Sequence, residues 1–169
     1  TSNLENTSIK SNIDDLRKEI GSNLKTTIFV SDLSQPTYYV ENKKFKSFID
    51  NDNNGYFSLG SGFNNELKKI KTNNGFYIFL ELDELSFDNL FSENQLETNT
   101  NLKLIKLKID KLNFFDNTYL DQYFEINFLA NETYANFSGK NLNGSMKIDS
   151  SGFIRIDVFN TKFEFRGLN

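Results

Sequence analysis

The residues best spaced for chemistry are Asp50-Asn51-Asp52-Asn53-Asn54-Gly55-Tyr56. Oxygen side chains at the first, third and fifth positions with Gly at the sixth match the opening of a calcium loop. Alternate residues of such a loop point inward, and the Gly makes its sharp turn. Asp50, Asp52 and Asn54 are the candidate ligands. Phe57 fills the apolar eighth position, but the twelfth is Ser61, where the loop needs a bidentate Glu. The competing reading, a polar hairpin turn joining 45–49 to 56–59, is preferred.

A second constellation is acidic: Glu81, Asp83, Glu84 and Asp88. In an extended chain Glu81 and Asp83 share a face, and paired carboxylates hydrolyse glycosides. Lys103, Lys106 and Lys108 occupy the next strong strand, so solvated cross-strand pairing is the simpler account. The chain has neither His nor Cys, which excludes disulfides, thiolate and imidazole metal centres, and His-dependent nucleophilic catalysis. The residues point to a non-enzyme without a cofactor, and a carboxylate-based hydrolase is a distant alternative.

Aromatic residues are the third group. Tyr38-Tyr39, Phe76-Tyr77, Phe114-Phe115 and Tyr123-Phe124 place rings on both faces of strands. One ring of each pair belongs to a Phe-filled core. The other is free to line a ligand cavity or a partner surface. Tyr38, Tyr77 and Tyr123 are the candidate ligand-binding residues, because their hydroxyls face water while their rings contact ligand. No Lys or Arg run interleaves with these rings, and the net charge is −4. Nucleic acid is therefore not the expected partner; an unknown protein or a small apolar ligand is.

These residues need elements to hold them. Ile9, Ile13, Leu16 and Ile20 follow helical spacing, with Gly21 as a stop, and predict an amphipathic helix over 1–24. From Thr26 the period becomes two. Strands are expected over 26–32, 37–41, 45–50, 55–61, 76–85, 102–115, 123–130, 134–138, 145–149, 153–159 and 162–166. Turns fall at 51–55, 73–75, 143–144 and 150–152, and the longest loop at 87–100. The fold class is mainly β: an antiparallel meander forming a β-sandwich or barrel over 25–169, one folded unit, preceded by the helix. Within 102–109 the apolar phase changes, which predicts a β-bulge at Leu104-Ile105. Met146 and Ile148 against Ile154, Ile156 and Val158 predict a tight hairpin closed by Gly152, with Ile148 and Ile156 in the core.

The 169 residues suffice for one domain's core without metals or disulfides. No run approaches the ~18 apolar residues of a membrane span. Because the chain opens on Thr1, an upstream signal or lipid anchor is expected to have been removed, and the membrane enters only through that anchor. Export to the periplasm or cell surface is the expectation.

Residues 123–167 run from Tyr123-Phe124-Glu125-Ile126-Asn127-Phe128 to Phe163-Glu164-Phe165-Arg166-Gly167. This quarter of the chain resembles the terminal strands of the transferrin-binding-protein-B-like β-barrels of Gram-negative surface lipoproteins. The resemblance implies an exported barrel that binds a protein or small ligand, and it transfers no binding residue. In architecture alone, a helix leading into an antiparallel sheet is similar to a type IV pilin or pseudopilin lacking its membrane half. That likeness implies a structural subunit and is the alternative to the binding domain.

Overall fold

The computed structural model describes residues 8, 21, 24–31, 34–70, 75–86, 101–114 and 117–161. The helix expected over 1–24, the loop over 87–100 and the strand over 162–166 lie outside the described residues, apart from Ser8, Gly21 and Leu24. The chain is mainly β. Among the described residues ten strands form one sheet: β1 (Thr27–Ser31), β2 (Thr37–Glu41), β3 (Phe45–Ile49), β4 (Gly55–Leu59), β5 (Phe76–Ser86), β6 (Leu102–Phe114), β7 (Asn117–Phe128), β8 (Glu132–Ser138), β9 (Leu142–Asp149) and β10 (Ile154–Thr161). The spatial order follows the chain from β1 to β10 and does not close on itself.

The expected antiparallel meander needs one correction. Strands β1 to β4 and β7 to β10 pair antiparallel, but β4 and β5 are parallel, with Gly55 opposite Phe76 and Leu59 opposite Leu80. A parallel pair requires a crossover connection. Here it carries the short helix α1 (Asn64–Leu67), which sequence patterning did not indicate.

Two compact units divide the chain. The first contains Thr1–Glu81 and Leu96–Ile105, the second Leu82–Gln95 and Lys106–Asn169. Among the described residues of the first unit, Leu24, Leu59, Phe63 and Phe79 are buried apolar residues. Phe63, at the N-terminus of α1, sets its ring 5.5 Å from that of Phe79 on β5. In the second unit, Leu82, Leu85, Ile109, Leu112, Tyr119, Ala135 and Leu142 are buried, together with Gln122.

Three neighbouring strands of the second unit repeat one burial pattern. Leu82 and Leu85, Ile109 and Leu112, and Tyr119 and Gln122 are buried pairs separated by two exposed residues. In a regular strand a three-residue interval reverses the face, so β5, β6 and β7 change their inward parity together. On β7 the backbone shows how, with Asp121 at a φ of 52°. Such an irregularity kinks a strand and re-aims its side chains. Leu104 and Ile105, where a bulge is expected, are both half-buried, and a separate change of burial phase falls between Ile109 and Leu112.

The 146–158 hairpin forms as expected. Gly152 at φ 81° donates to the carbonyl of Asp149, Asp149 N–H donates to Phe153 O, and Asp149 Oδ1 accepts from the amides of Ser151 and Phe153. Ile156 pairs with Met146 and Ile154 with Ile148, so the predicted faces are right. The predicted burial is not: Ile156 is 57% exposed, and Ile154 and Val158 are exposed beside it. β10 ends the sheet, and among the described residues no further layer covers that face.

Candidate functional site

The first unit presents aromatic residues in cross-strand register. Phe29 on β1 is opposite Tyr39 on β2, Tyr39 opposite Phe48 on β3, Phe48 opposite Tyr56 on β4, and Tyr56 opposite Tyr77 on β5. Directly opposed residues share a face, so five rings form one row across five strands. Four inter-strand spacings of ~4.8 Å give a row about 19 Å long. Phe29 and Tyr39 have ring centroids 6.1 Å apart, and Phe48 and Tyr56 stack at 6.2 Å with 27° between planes. Phe29 is 61% exposed and the other four rings are half-buried. The alternating strand pattern produces the row: each ring occupies a period-two position, and aromatic pairs stabilise such positions by about 0.2–1 kcal/mol.

A polar cluster flanks the row. Glu41 and Lys46 face each other across β2 and β3 with Nζ to Oε1 at 3.1 Å. The Lys46 ammonium, with a hydrogen bond from Tyr39, holds the Glu41 carboxyl below its ordinary range. Burial and donation to Glu41 push the Tyr39 hydroxyl up to about 12. At neutral pH this end therefore carries a neutral phenol and a charge-compensated carboxylate. It offers hydrogen bonds beside an apolar surface.

Tyr38 and Tyr77 do not share a site. Tyr38 pairs with Val30 and Ile49 on the opposite face of the sheet from the aromatic row and is exposed there. Tyr77 belongs to the row. Phe29, Tyr39, Phe48 and Tyr56 were not among the expected binding residues. Their type was visible in the sequence, but the register that aligns them was not.

In the second unit, Tyr123 sits in a half-buried polar cluster. Its hydroxyl donates to Glu125 Oε2 at 3.2 Å, and Lys106 Nζ reaches the same oxygen at 3.2 Å. Burial pushes the Glu125 carboxyl up, but the Lys106 hydrogen bond and charge outweigh it, so the net shift is downward. Burial likewise opposes the Lys106 charge, and Glu125 reverses this to a net upward shift. Lys106, on the strand next to the acidic residues of β5, is bonded to Glu125 on β7. Nearby, Gln122 spends Nε2 on the carbonyl of Leu120, and its buried Oε1 has no hydrogen-bond partner.

In the candidate calcium loop, Asp50 and Asn54 use side-chain oxygens in hydrogen bonds within the fold. Asp50 Oδ1 accepts from the amides of Asp52 at 3.0 Å and Asn54 at 2.8 Å, and Asp50 Oδ2 accepts from Asn54 Nδ2 at 3.2 Å. Asn54 is buried, and its Oδ1 accepts from Asn101 Nδ2. Gly55 makes the close approach: a Cβ there would lie 2.0 Å from the Phe48 carbonyl oxygen. Asp50 and Asn54 tie β3 to β4, while Asp52 is an exposed turn residue.

Glu81 has a comparable structural task. Its Oε2 accepts from the amides of Ser61 and Gly62 at 2.9 and 2.8 Å, fastening the start of the crossover to β5. Asp83 is exposed.

No protein family, curated protein or solved structure matches the chain.

Proposed function

We propose that this chain is a non-enzymatic, exported binding domain on a sandwich- or barrel-like β scaffold, and that its binding surface is the aromatic row. The row itself carries the reading: five rings aligned on one sheet face, flanked by a Tyr-Glu-Lys hydrogen-bonding end. Aromatic surface that stays partly wet is a recurrent feature of sites for apolar ligands and protein partners. Of the two carboxylates that suggested hydrolysis, Glu81 is engaged in holding the crossover, which supports binding over catalysis. Kinship to the transferrin-binding-protein-B-like barrels and a lipid-anchored surface location belong to this proposal.

The test uses 8-anilinonaphthalene-1-sulfonate as probe. The folded chain is expected to enhance its fluorescence saturably. Phe48→Ser/Tyr56→Ser should remove most of that signal while a cooperative melt persists, and Phe153→Ser should not. Equal signals from both variants place the apolar surface elsewhere and reject the row as the site. Fractionation of the native cells tests export: recovery of the chain with cytosolic markers rejects it.

The pilin-like structural subunit remains the second reading, because apolar residues also lie exposed at both end strands, β1 and β10. It requires open-ended assembly of the chain, seen as filaments by negative-stain electron microscopy.

A further inference from the structure

The second unit contains an apolar row that loses its cover toward the sheet edge. Ile126 pairs with Ala135, Ala135 with Met146, and Met146 with Ile156. Ala135 is buried, Ile126 and Met146 are half-buried, and Ile156 is 57% exposed. Ile154 and Val158 flank Ile156 on the same face, both exposed. The opposite face of β10 carries Arg155 and Asp157, and Arg155 Nε lies 3.0 Å from Asp157 Oδ2. Among the described residues β10 pairs only with β9, and none of them hydrogen-bonds to its other edge. Natural edge strands are usually blunted; this one is apolar on one face.

The sequence of β10 is complementary to itself. If two copies meet antiparallel with Ile156 at the twofold axis, Ile154 faces Val158 of the second copy, and Arg155 faces Asp157 of the second copy. Each contact occurs twice, as an isologous interface requires. The hairpin fixes which groups are available. Asp149 and Phe153 are hydrogen-bonded across the turn. Alternation then directs the backbone groups of Arg155 and Asp157 toward β9 and those of Ile154, Ile156 and Val158 outward. In the paired edge, Arg155 and Asp157 fall at the non-hydrogen-bonded positions, where facing side chains approach most closely. The irregularity between Val158 and Asn160 limits the regular segment to 154–158, the stretch that is self-complementary.

We propose that β10 is a homodimerisation edge, and that a second copy of this chain adds its own β10 antiparallel about Ile156. The sheet then continues through the twofold axis. The apolar row extends from Met146 and Ile156 of one copy to Ile156 and Met146 of the other. The Arg155–Asp157 pair within each strand is joined by two intermolecular pairs. This proposal stands apart from the aromatic row, which belongs to the other unit, so either can fail without the other.

Sedimentation velocity of the full chain across a concentration series, with charge-reversal variants, tests it. The parent chain is expected to form a dimer and nothing larger. Arg155→Asp sets a carboxylate opposite Asp157 of the second copy and should raise the dimer dissociation constant at least ~10-fold. Arg155→Asp/Asp157→Arg restores opposite charges and should return it to near the parent value. Arg155 is exposed and Asp157 half-buried on the polar face of β10, so each variant is expected to keep a cooperative melt. The chain has no cysteine, so Ile156→Cys can only cross-link between copies. It should do so on mild oxidation, since hydrogen-bonded antiparallel partners lie ~5.5 Å apart at Cα, whereas Phe29→Cys should not. A parent chain that stays monomeric at every concentration overturns the proposal. So does an Arg155→Asp variant that dimerises like the parent, or cross-linking at Phe29→Cys without cross-linking at Ile156→Cys.

Discussion

The Phe63–Phe79 contact offers the most direct test of how the first unit accommodates its parallel pair. β4 and β5 run in the same direction, so the chain between them must cross over, and a crossover needs an anchor. Phe63 supplies it. Its side chain is 1% exposed, as is that of Phe79, and the rings meet at 5.5 Å and 51°. Truncating either ring to Ala should cost about 3–5 kcal/mol. The two losses together approach the 5–15 kcal/mol that holds a whole domain, so a double Ala variant is expected to unfold. Phe63→Leu and Phe79→Leu keep most of the volume and should cost about 1–2 kcal/mol each. A tilted aromatic pair contributes roughly 0.5–1.5 kcal/mol beyond its buried area. The double Leu variant should therefore lose less than the sum of the singles by about that amount. The assay is urea unfolding followed by circular dichroism, with unchanged slope as the check that the two-state comparison holds. Single losses that add to within ~0.3 kcal/mol, or a Phe63→Leu variant as stable as the parent, would refute the anchor.

Two further outcomes follow from the turns and ion pairs. Gly55→Ala should destabilise by about 2 kcal/mol or more, because the added methyl meets a backbone oxygen at 2.0 Å and φ is 151°; a melt within a degree of the parent contradicts that geometry. The Glu125 carboxyl is lowered in the folded chain, so its contribution is present above the ordinary carboxylate range and is lost as pH falls through the folded value. Thermal melts of the parent between pH 7 and 3 should show an acid limb that Glu125→Gln flattens; equal limbs in the two proteins reject the Lys106–Glu125 linkage.

Strand positions were legible in the sequence wherever turn chemistry bracketed a period-two run. β2 is bounded by Pro36 before it and Asn42 after it. Asn42 Oδ1 accepts from the amides of Lys44 and Phe45, closing the turn to β3. The predicted range 37–41 is the observed one. Asp149 and Gly152 did the same for the β9–β10 hairpin. Strand direction was not legible, because alternation is identical in parallel and antiparallel pairs, and so the β4–β5 crossover was missed. The start of β7 at Asn117 was missed because the sequence alternation becomes regular only from Tyr123. The aromatic row was half-legible: the rings could be counted, but only register aligns Tyr77 with Tyr56 and turns Tyr38 to the other face.

The largest departure concerns cover rather than position. Apolar alternation in 154–158 assigns a face correctly, yet the inference from apolar to buried assumes a layer on top of that face. In the second unit the assumption holds at Ala135 on β8 and fails by Ile156 on β10, two strands further from β7. An alternating apolar strand at the end of a sheet is therefore a statement about what the strand is built to meet. The polar face of β10 adds a second constraint: Arg155 and Asp157 are spaced so that a half-turn about Ile156 exchanges their positions. A random apolar edge has no reason to carry opposite charges symmetrically about its centre. Edge pairing of β10 with a second copy, as proposed above, would set Ile156 beside its own counterpart and carry the apolar face across the twofold axis, so that the strand meets an apolar neighbour at the edge although no layer covers it.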